Sequence, residues 1–158
     1  MFLLPVSCGY GFRGGGKLPA DVKTITISVF ENRTRETGIE NTITNDIVFE
    51  FTRSDAVTVT DPETADAIFS GVVAGLVTYS VSRTNQVTAT QQRVEVSLDV
   101  KMTSPKGKLL WSADGIRENE SFNVGNSLIE TEQNQRAAIE VLSKRLAQKV
   151  FYQLTEDF

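Results

Sequence analysis

A single cysteine and a complete absence of histidine bound what this chain can do chemically. Without histidine, Ser-His-Asp and Cys-His nucleophile systems and imidazole-ligated metal sites are excluded. One cysteine forms no intrachain disulfide and cannot hold zinc or an iron–sulfur cluster. Carboxylate or Ser-Lys catalysis stays open on residue types alone, but no spacing in the chain points to either. The chain is therefore expected to be non-enzymatic, with no metal and no other cofactor.

Cys8 is the residue whose surroundings suggest a reaction. It lies in Phe2-Leu3-Leu4-Pro5-Val6-Ser7-Cys8-Gly9-Tyr10. A short apolar run, a small residue and then Cys-Gly is what the end of a lipoprotein signal peptide looks like; a free, buried cysteine near a frayed terminus is the plainer reading. Residues 1–7 are expected to be a residual signal, removed as Cys8 becomes the acylated first residue. Acyl chains anchor at about 0.8 kcal/mol per buried CH2, and more than one is needed for a stable hold. No basic segment precedes the apolar run and the run is short, so the start is expected to be truncated. No later segment approaches the ~20 apolar residues of a membrane helix, which leaves the N-terminal lipid as the expected attachment.

Residues 8–19 contain Gly9, Gly11, Gly14, Gly15 and Gly16 with Arg13 and Lys17, and are expected to form a lipidated flexible tether. The run Gly9-Tyr-Gly11-Phe-Arg13-Gly14 shares letters with a phosphate-binding fingerprint. That fingerprint needs a strand before it and a helix after it, whereas here a strand follows. A net charge of −4 and the lack of a basic stripe argue against nucleic acid as a partner. From Val77 to Gln92 the chain carries one charge, Arg83, among Thr, Ser, Asn and Gln. An uncharged polar surface suits contact with another protein's polar lumen, where burying charge costs several kcal/mol per ion; a Thr-rich hairpin in water is the plainer reading. Lys106 and Lys108 flank Gly107, where they either touch phosphate or solvate a turn.

The elements that position these residues belong to one domain, expected over 20–158. A chain of 158 residues can bury roughly 70% of its unfolded surface and needs no staples. Val22 to Phe30 alternates, with Ile25, Ile27 and Val29 on one face, which predicts a half-buried strand. Thr37-Gly-Ile-Glu40 has the form of a capping box. Ile39, Ile43, Ile47 and Phe51 then repeat in steps of four, as on an amphipathic helix. Val57 and Val59 suggest a short strand. Ala67 to Val81 reads as a long strand with Phe69, Val73, Val77, Tyr79 and Val81 together on one face. Val94, Val96, Leu98, Val100 and Met102 alternate with polar partners, and Ser104-Pro105-Lys106-Gly107 turns the chain. The strand that returns faces Leu109, Trp111 and Ala113 inward. Ser127-Leu-Ile-Glu130 opens a second helix with the stripe Ile139, Leu142, Leu146, Val150 and Leu154. The expected fold is α/β, a two-layer sandwich of strand, helix, three-strand meander and helix. It has a mixed four-stranded sheet, with both amphipathic helices on one face. The helical crossover makes at least one strand pair parallel.

The order of these pieces resembles the LptE family of lipopolysaccharide-assembly lipoproteins. The resemblance runs through Cys8-Gly9-Tyr10-Gly11-Phe12-Arg13-Gly14, Leu18-Pro19, Val22-Lys-Thr-Ile-Thr-Ile and Phe30-Glu-Asn32. It continues through Ala65-Asp66-Ala67, the meander from Gln92 to Trp111, and the closing Ala147-Gln-Lys-Val-Phe-Tyr-Gln-Leu154. It implies a lipid-anchored protein on the periplasmic side of the outer membrane, seated in an LptD-type outer-membrane β-barrel. Such a subunit supports assembly of the barrel and contacts lipopolysaccharide. The resemblance implies that Arg83 contacts that lipid; Arg93, Lys106 and Lys108 are the further cations expected to act with it. A second basic position of the family, before the last helix, is occupied here by acidic or neutral residues around Glu130.

Two other readings fit the same residues. A periplasmic lipoprotein that activates or scaffolds another envelope complex, such as a peptidoglycan synthase, opens with a similar Ile-Thr-Ile-Ser-Val-Phe-Glu-Asn pattern. A small carboxylate hydrolase would require a concave polar pocket.

Overall fold

The computed structural model describes residues 18–19, 21–83 and 89–158. Eight elements follow in chain order: β1 (Thr24–Ile27), β2 (Glu31–Asn32), α1 (Ile39–Thr52), β3 (Thr58–Val59), β4 (Ala67–Arg83), β5 (Ala89–Thr103), β6 (Leu109–Asn123) and α2 (Leu128–Glu156). The sheet has six strands in the order β3-β1-β4-β5-β6, with β2 alongside β4. The α/β class expected from the sequence stands, but six strands replace four. The two additions are two residues each: β3 is the short strand expected at Val57 and Val59, which joins the sheet beside β1, and β2 is too short to print a period-2 pattern. β1 runs parallel to β3 and β4, and β2 parallel to β4, while β4, β5 and β6 form the antiparallel meander.

Both helices bury their stripes. Ile39, Ile43, Ile47 and Phe51 of α1 are inside, as are Ile139, Leu142, Leu146, Val150 and Leu154 of α2. They meet the sheet at an aromatic cluster. The Phe51 ring lies 5.1 Å from Phe69 of β4 and 5.1 Å from Phe151 of α2, and Phe69 stacks on Trp111 of β6 at 6.4 Å. Each such side chain contributes about 1.5–3 kcal/mol by leaving water. Trp111 Nε1 donates to Asp157 Oδ2 at 2.7 Å, so the end of α2 satisfies the one polar atom of the indole. The fully buried Ser143 Oγ donates to Asp46 Oδ2 at 2.6 Å and ties the two helices together.

Several local expectations change. Val29 is 65% exposed and Phe30 is buried, because β1 ends at Ile27 and the chain steps before β2. Phe30 lies so close to Gly71 that a Cβ there would fall on its ring, which is why β4 carries no side chain at that point. The first capping box forms only in part: Gly38, at φ 90°, is the cap, and Glu40 Oε2 accepts from Gly38 N and Asn32 Nδ2. At α2 the Ser127 hydroxyl accepts from Glu130 N as expected, but Glu130 Oε2 accepts from Asn126 N, one residue earlier than a box requires. Leu109 is exposed, not inward. Leu18, placed in the tether by sequence, is buried in the core.

Candidate interaction surface

The meander strands are long, and a bulge decides what their outer face displays. β4 and β5 stay in register until Val73↔Leu98, then resume at Gly75↔Ser97 with Ala74 as the extra residue. Because side chains alternate with period 2, one inserted residue exchanges the two faces of everything beyond it. The distal half of β4 therefore turns Leu76 toward the core and Val77 and Tyr79 outward, against the single-face expectation. Val77, Tyr79 and Val81 are 55%, 44% and 42% exposed. A second bulge separates β5 from β6 between Leu98↔Ile116 and Val100↔Ala113. Gly115 occupies it at φ 67°, and its N–H donates to Asp99 Oδ1 at 2.8 Å.

Outward residues line up across the strands. Tyr79 pairs with Arg93, and Arg93 with Ser121, whose Oγ accepts from Arg93 Nε at 3.2 Å. Val77 pairs with Glu95, which faces Arg117 at 3.9 Å. Toward the other end of this face an open groove of about 460 Å³ is lined by Val29, Glu31, Val72, Asp99, Lys101 and Leu109, among others. Glu31 accepts from Arg33 Nε at 2.9 Å, and that hydrogen bond holds the guanidinium's pKa above its ordinary value. Among the described residues, no group of three or more His, Cys, Asp or Glu is placed to hold a metal ion. No described helix is long and apolar enough to cross a membrane.

The cations singled out by sequence do not form one site. Arg83 is the last residue of β4 and pairs with Ala89 at the distal end of the sheet. Arg93 lies four positions along β5 from that pair. Lys106 and Lys108 belong to the turn between β5 and β6, where Gly107 N donates to Ser104 O at 2.9 Å. β5 alone separates the two ends, and its 15 residues span about 46 Å. Arg83 and the two lysines therefore cannot grip one headgroup together. Cys8 and its glycine-rich tether, residues 8–17, lie outside the described residues.

One arrangement was missed by sequence reasoning. β6 is an edge strand, and α2 covers its outward carbonyls. Lys149 Nζ donates to Arg117 O at 2.7 Å, Arg145 Nη2 to Asn119 O at 2.8 Å, and Asn134 Nδ2 to Asn123 O at 2.9 Å. Arg145 and Lys149 also pair with Glu120 and Glu118. The signal was present: positions 134, 145 and 149 fall on one side of a helix, flanking the apolar stripe.

The domain is α/β, its grooves are open, and its polar side chains are spread along the meander. Its fold is shared with bacterial lipoproteins. It resembles uncharacterized lipoprotein B from Nitrosomonas europaea (15% identity, TM-score 0.61, covering 93% of this chain and 90% of that one). It also resembles rare lipoprotein B from Shewanella oneidensis (7%, 0.56, 84% and 95%) and the PelC dodecamer from Paraburkholderia phytofirmans (14%, 0.53, 87% and 92%). No curated protein matches the sequence significantly. Residues 22–154 match the family model LptE, Lipopolysaccharide-assembly, and the chain belongs to that family.

Proposed function

We propose that this chain is the lipid-anchored accessory subunit of an LptD-type outer-membrane β-barrel. It supports barrel assembly and the insertion of lipopolysaccharide into the outer leaflet. Family membership across residues 22–154 is the observation that carries the reading. In it, acylated Cys8 holds the protein to the membrane on its periplasmic side, residues 8–19 act as the tether, and the domain from residue 20 docks into the barrel. The exposed, uncharged Val77–Val81 segment supports a protein-facing role, since such a surface enters a polar lumen without stranding an ion. Catalysis has no part in this role.

Lipopolysaccharide contact is assigned to the distal end, through Arg83 with Arg93 nearby. Guanidinium groups suit phosphate and carboxylate because their paired donors match planar acceptors. Lys106 and Lys108, at the opposite end, would meet a different molecule or only water. Mass spectrometry of the protein expressed from its full native gene should find an acyl group on Cys8; an unmodified N-terminus upstream of Cys8 would refute the anchor. Labelled lipopolysaccharide should bind Arg83→Glu several-fold more weakly than wild type at low salt, with a smaller gap at high salt. Equal binding would leave Arg83 a solvated strand end and confine the role to structural support.

A further inference from the structure

We propose that the turn between β5 and β6 rests on the anionic headgroups of the membrane that carries the chain, with Lys106 and Lys108 on the phosphates and Leu109 inserted beside them. This deepens the proposed function, since it rests on the reading that Cys8 is acylated. From Val100 to Ala113 the chain has three lysines, Lys101, Lys106 and Lys108, and no carboxylate, in a protein whose net charge is −4. Pro105 to Leu109 are all exposed, and Leu109 keeps 56% of its surface in water. The turn is closed from within: Ser104 N donates to Lys108 O at 2.8 Å, Gly107 N to Ser104 O at 2.9 Å, and Lys108 N to Ser104 Oγ at 3.1 Å. Among the described residues neither Lys106 nor Lys108 forms an ion pair. Asp99 and Asp114 lie four and five positions back from the Thr103–Leu109 pair, about 13–17 Å along the strands. Asp157 is at the end of α2, where its Oδ2 accepts from the core-facing Trp111.

Strand register places this turn at the end of the domain from which the chain leads back to Cys8. Ile25 of β1 pairs with Ala67, and Thr103 of β5 with Ile68, so the start of β1 and the Ser104–Lys108 turn share one end of the sheet. Only β4 stands between β1 and β5. Leu18 is seated in the core ahead of β1, ten residues on from Cys8, a span of at most about 36 Å. A membrane that holds Cys8 is thereby kept near the turn. An acyl chain holds weakly alone, and a basic patch beside it is one way to make the attachment stable. Each lysine close to an anionic surface strengthens attachment about fivefold. A chain of net charge −4 is repelled by such a surface as a whole, so attraction has to come from a local cationic tip. The aliphatic side chain between sheet and lysines suits the headgroup boundary for the same reason.

The full chain carrying Cys8→Ser, and so without an acyl group, should cosediment at low salt with phosphatidylglycerol vesicles and not with phosphatidylcholine vesicles. Lys106→Ala with Lys108→Ala should weaken that binding about 25-fold, one factor of five for each lysine. Leu109→Asp should weaken it as well, and Lys144→Ala on α2 should not. These side chains are exposed, so every variant should keep the wild-type melting temperature. An environment-sensitive fluorophore at Leu109→Cys in the same background should shift to the blue on phosphatidylglycerol vesicles. The same label at Leu128→Cys, 74% exposed at the opposite end of the domain, should not. No binding to phosphatidylglycerol, or equal binding to both lipids, overturns the proposal. So does binding that survives the two alanines, or a shift at Leu128 in place of Leu109. A turn made for a protein contact would give no binding to either lipid. The assay contains neither barrel nor acyl chain, so its failure would leave the anchored reading standing; an unacylated Cys8 in the native protein would remove that reading whatever the vesicles show.

Discussion

The two strands flanking β5 meet the same problem and end in different states. Each is a long meander strand with one side turned away from the sheet. Along β6 that side is closed by Lys149, Arg145 and Asn134, whose donors reach the outward carbonyls. Along distal β4 no described side chain or loop bonds to the backbone beyond Val73. The covers differ in kind: strands β1 and β2 lie beside proximal β4, whereas a helix lies beside β6. α2 has 29 residues, about 43 Å, enough to follow most of β6. α1 has 14, about 21 Å, and serves only the proximal half of the sheet where Phe51 meets Phe69. The β4 side is bonded by β1 and β2 as far as Val73, and the β6 side by side chains of α2.

The largest effect should come from unseating a helix. Leu146→Asp or Ile43→Asp places an unpaired charge at a site with no solvent exposure, and neither variant should fold. Circular dichroism would show loss of the cooperative melt; a wild-type melting temperature would mean the buried face is wrongly assigned. Next is Gly71→Ala, which drives a methyl group into the Phe30 ring and should cost about 1–3 kcal/mol in chemical denaturation. An unchanged stability there would show that the proximal half of β4 is not tightly closed. Removing the β6 cover with Arg145→Ala and Lys149→Ala should cost less, about 1–2 kcal/mol, because the carbonyl bonds are worth about 1 kcal/mol each and the exposed ion pairs little. Light scattering should show that variant associating more readily than wild type, since its β6 edge is then open.

The smallest effect is a pH dependence beside β1. Lys23 N and Thr24 N each donate to Asp66 Oδ2 at 3.0 Å, and these bonds hold the carboxyl below its ordinary range. A depressed folded value means the stabilisation is complete above the unfolded value and is lost as pH falls through the folded one. Wild type should therefore lose melting temperature more steeply than Asp66→Asn below about pH 4. Parallel acid profiles would remove the carboxylate from the account.

Much of this was written in local pattern. The stripes Ile39-Ile43-Ile47-Phe51 and Ile139-Leu142-Leu146-Val150 gave both helices and their buried faces, and the alternation of Val94 to Met102 gave the central strand with its inward side chains. The Ser104–Lys108 turn followed from Pro105 and Gly107. Beyond Val73 the pattern misled, because a bulge changes the parity of a strand without changing its composition. Val77 and Tyr79 were thus assigned the wrong face. β3 was legible in Val57 and Val59, whereas the two-residue β2 left no periodic trace. The separation of Arg83 from Lys106 and Lys108 depends on strand pairing over fifteen residues, which composition cannot carry. The cover over β6 was half visible: Asn134, Arg145 and Lys149 share one side of α2, but their acceptors lie on another element.

Purification of the tagged protein from detergent-solubilised membranes of its native host tests the central claim most directly. The account predicts that an LptD-type β-barrel is retained in stoichiometric amount, with lipopolysaccharide in the same fraction. Recovery of a peptidoglycan synthase or another envelope complex in its place, with no barrel, would contradict it.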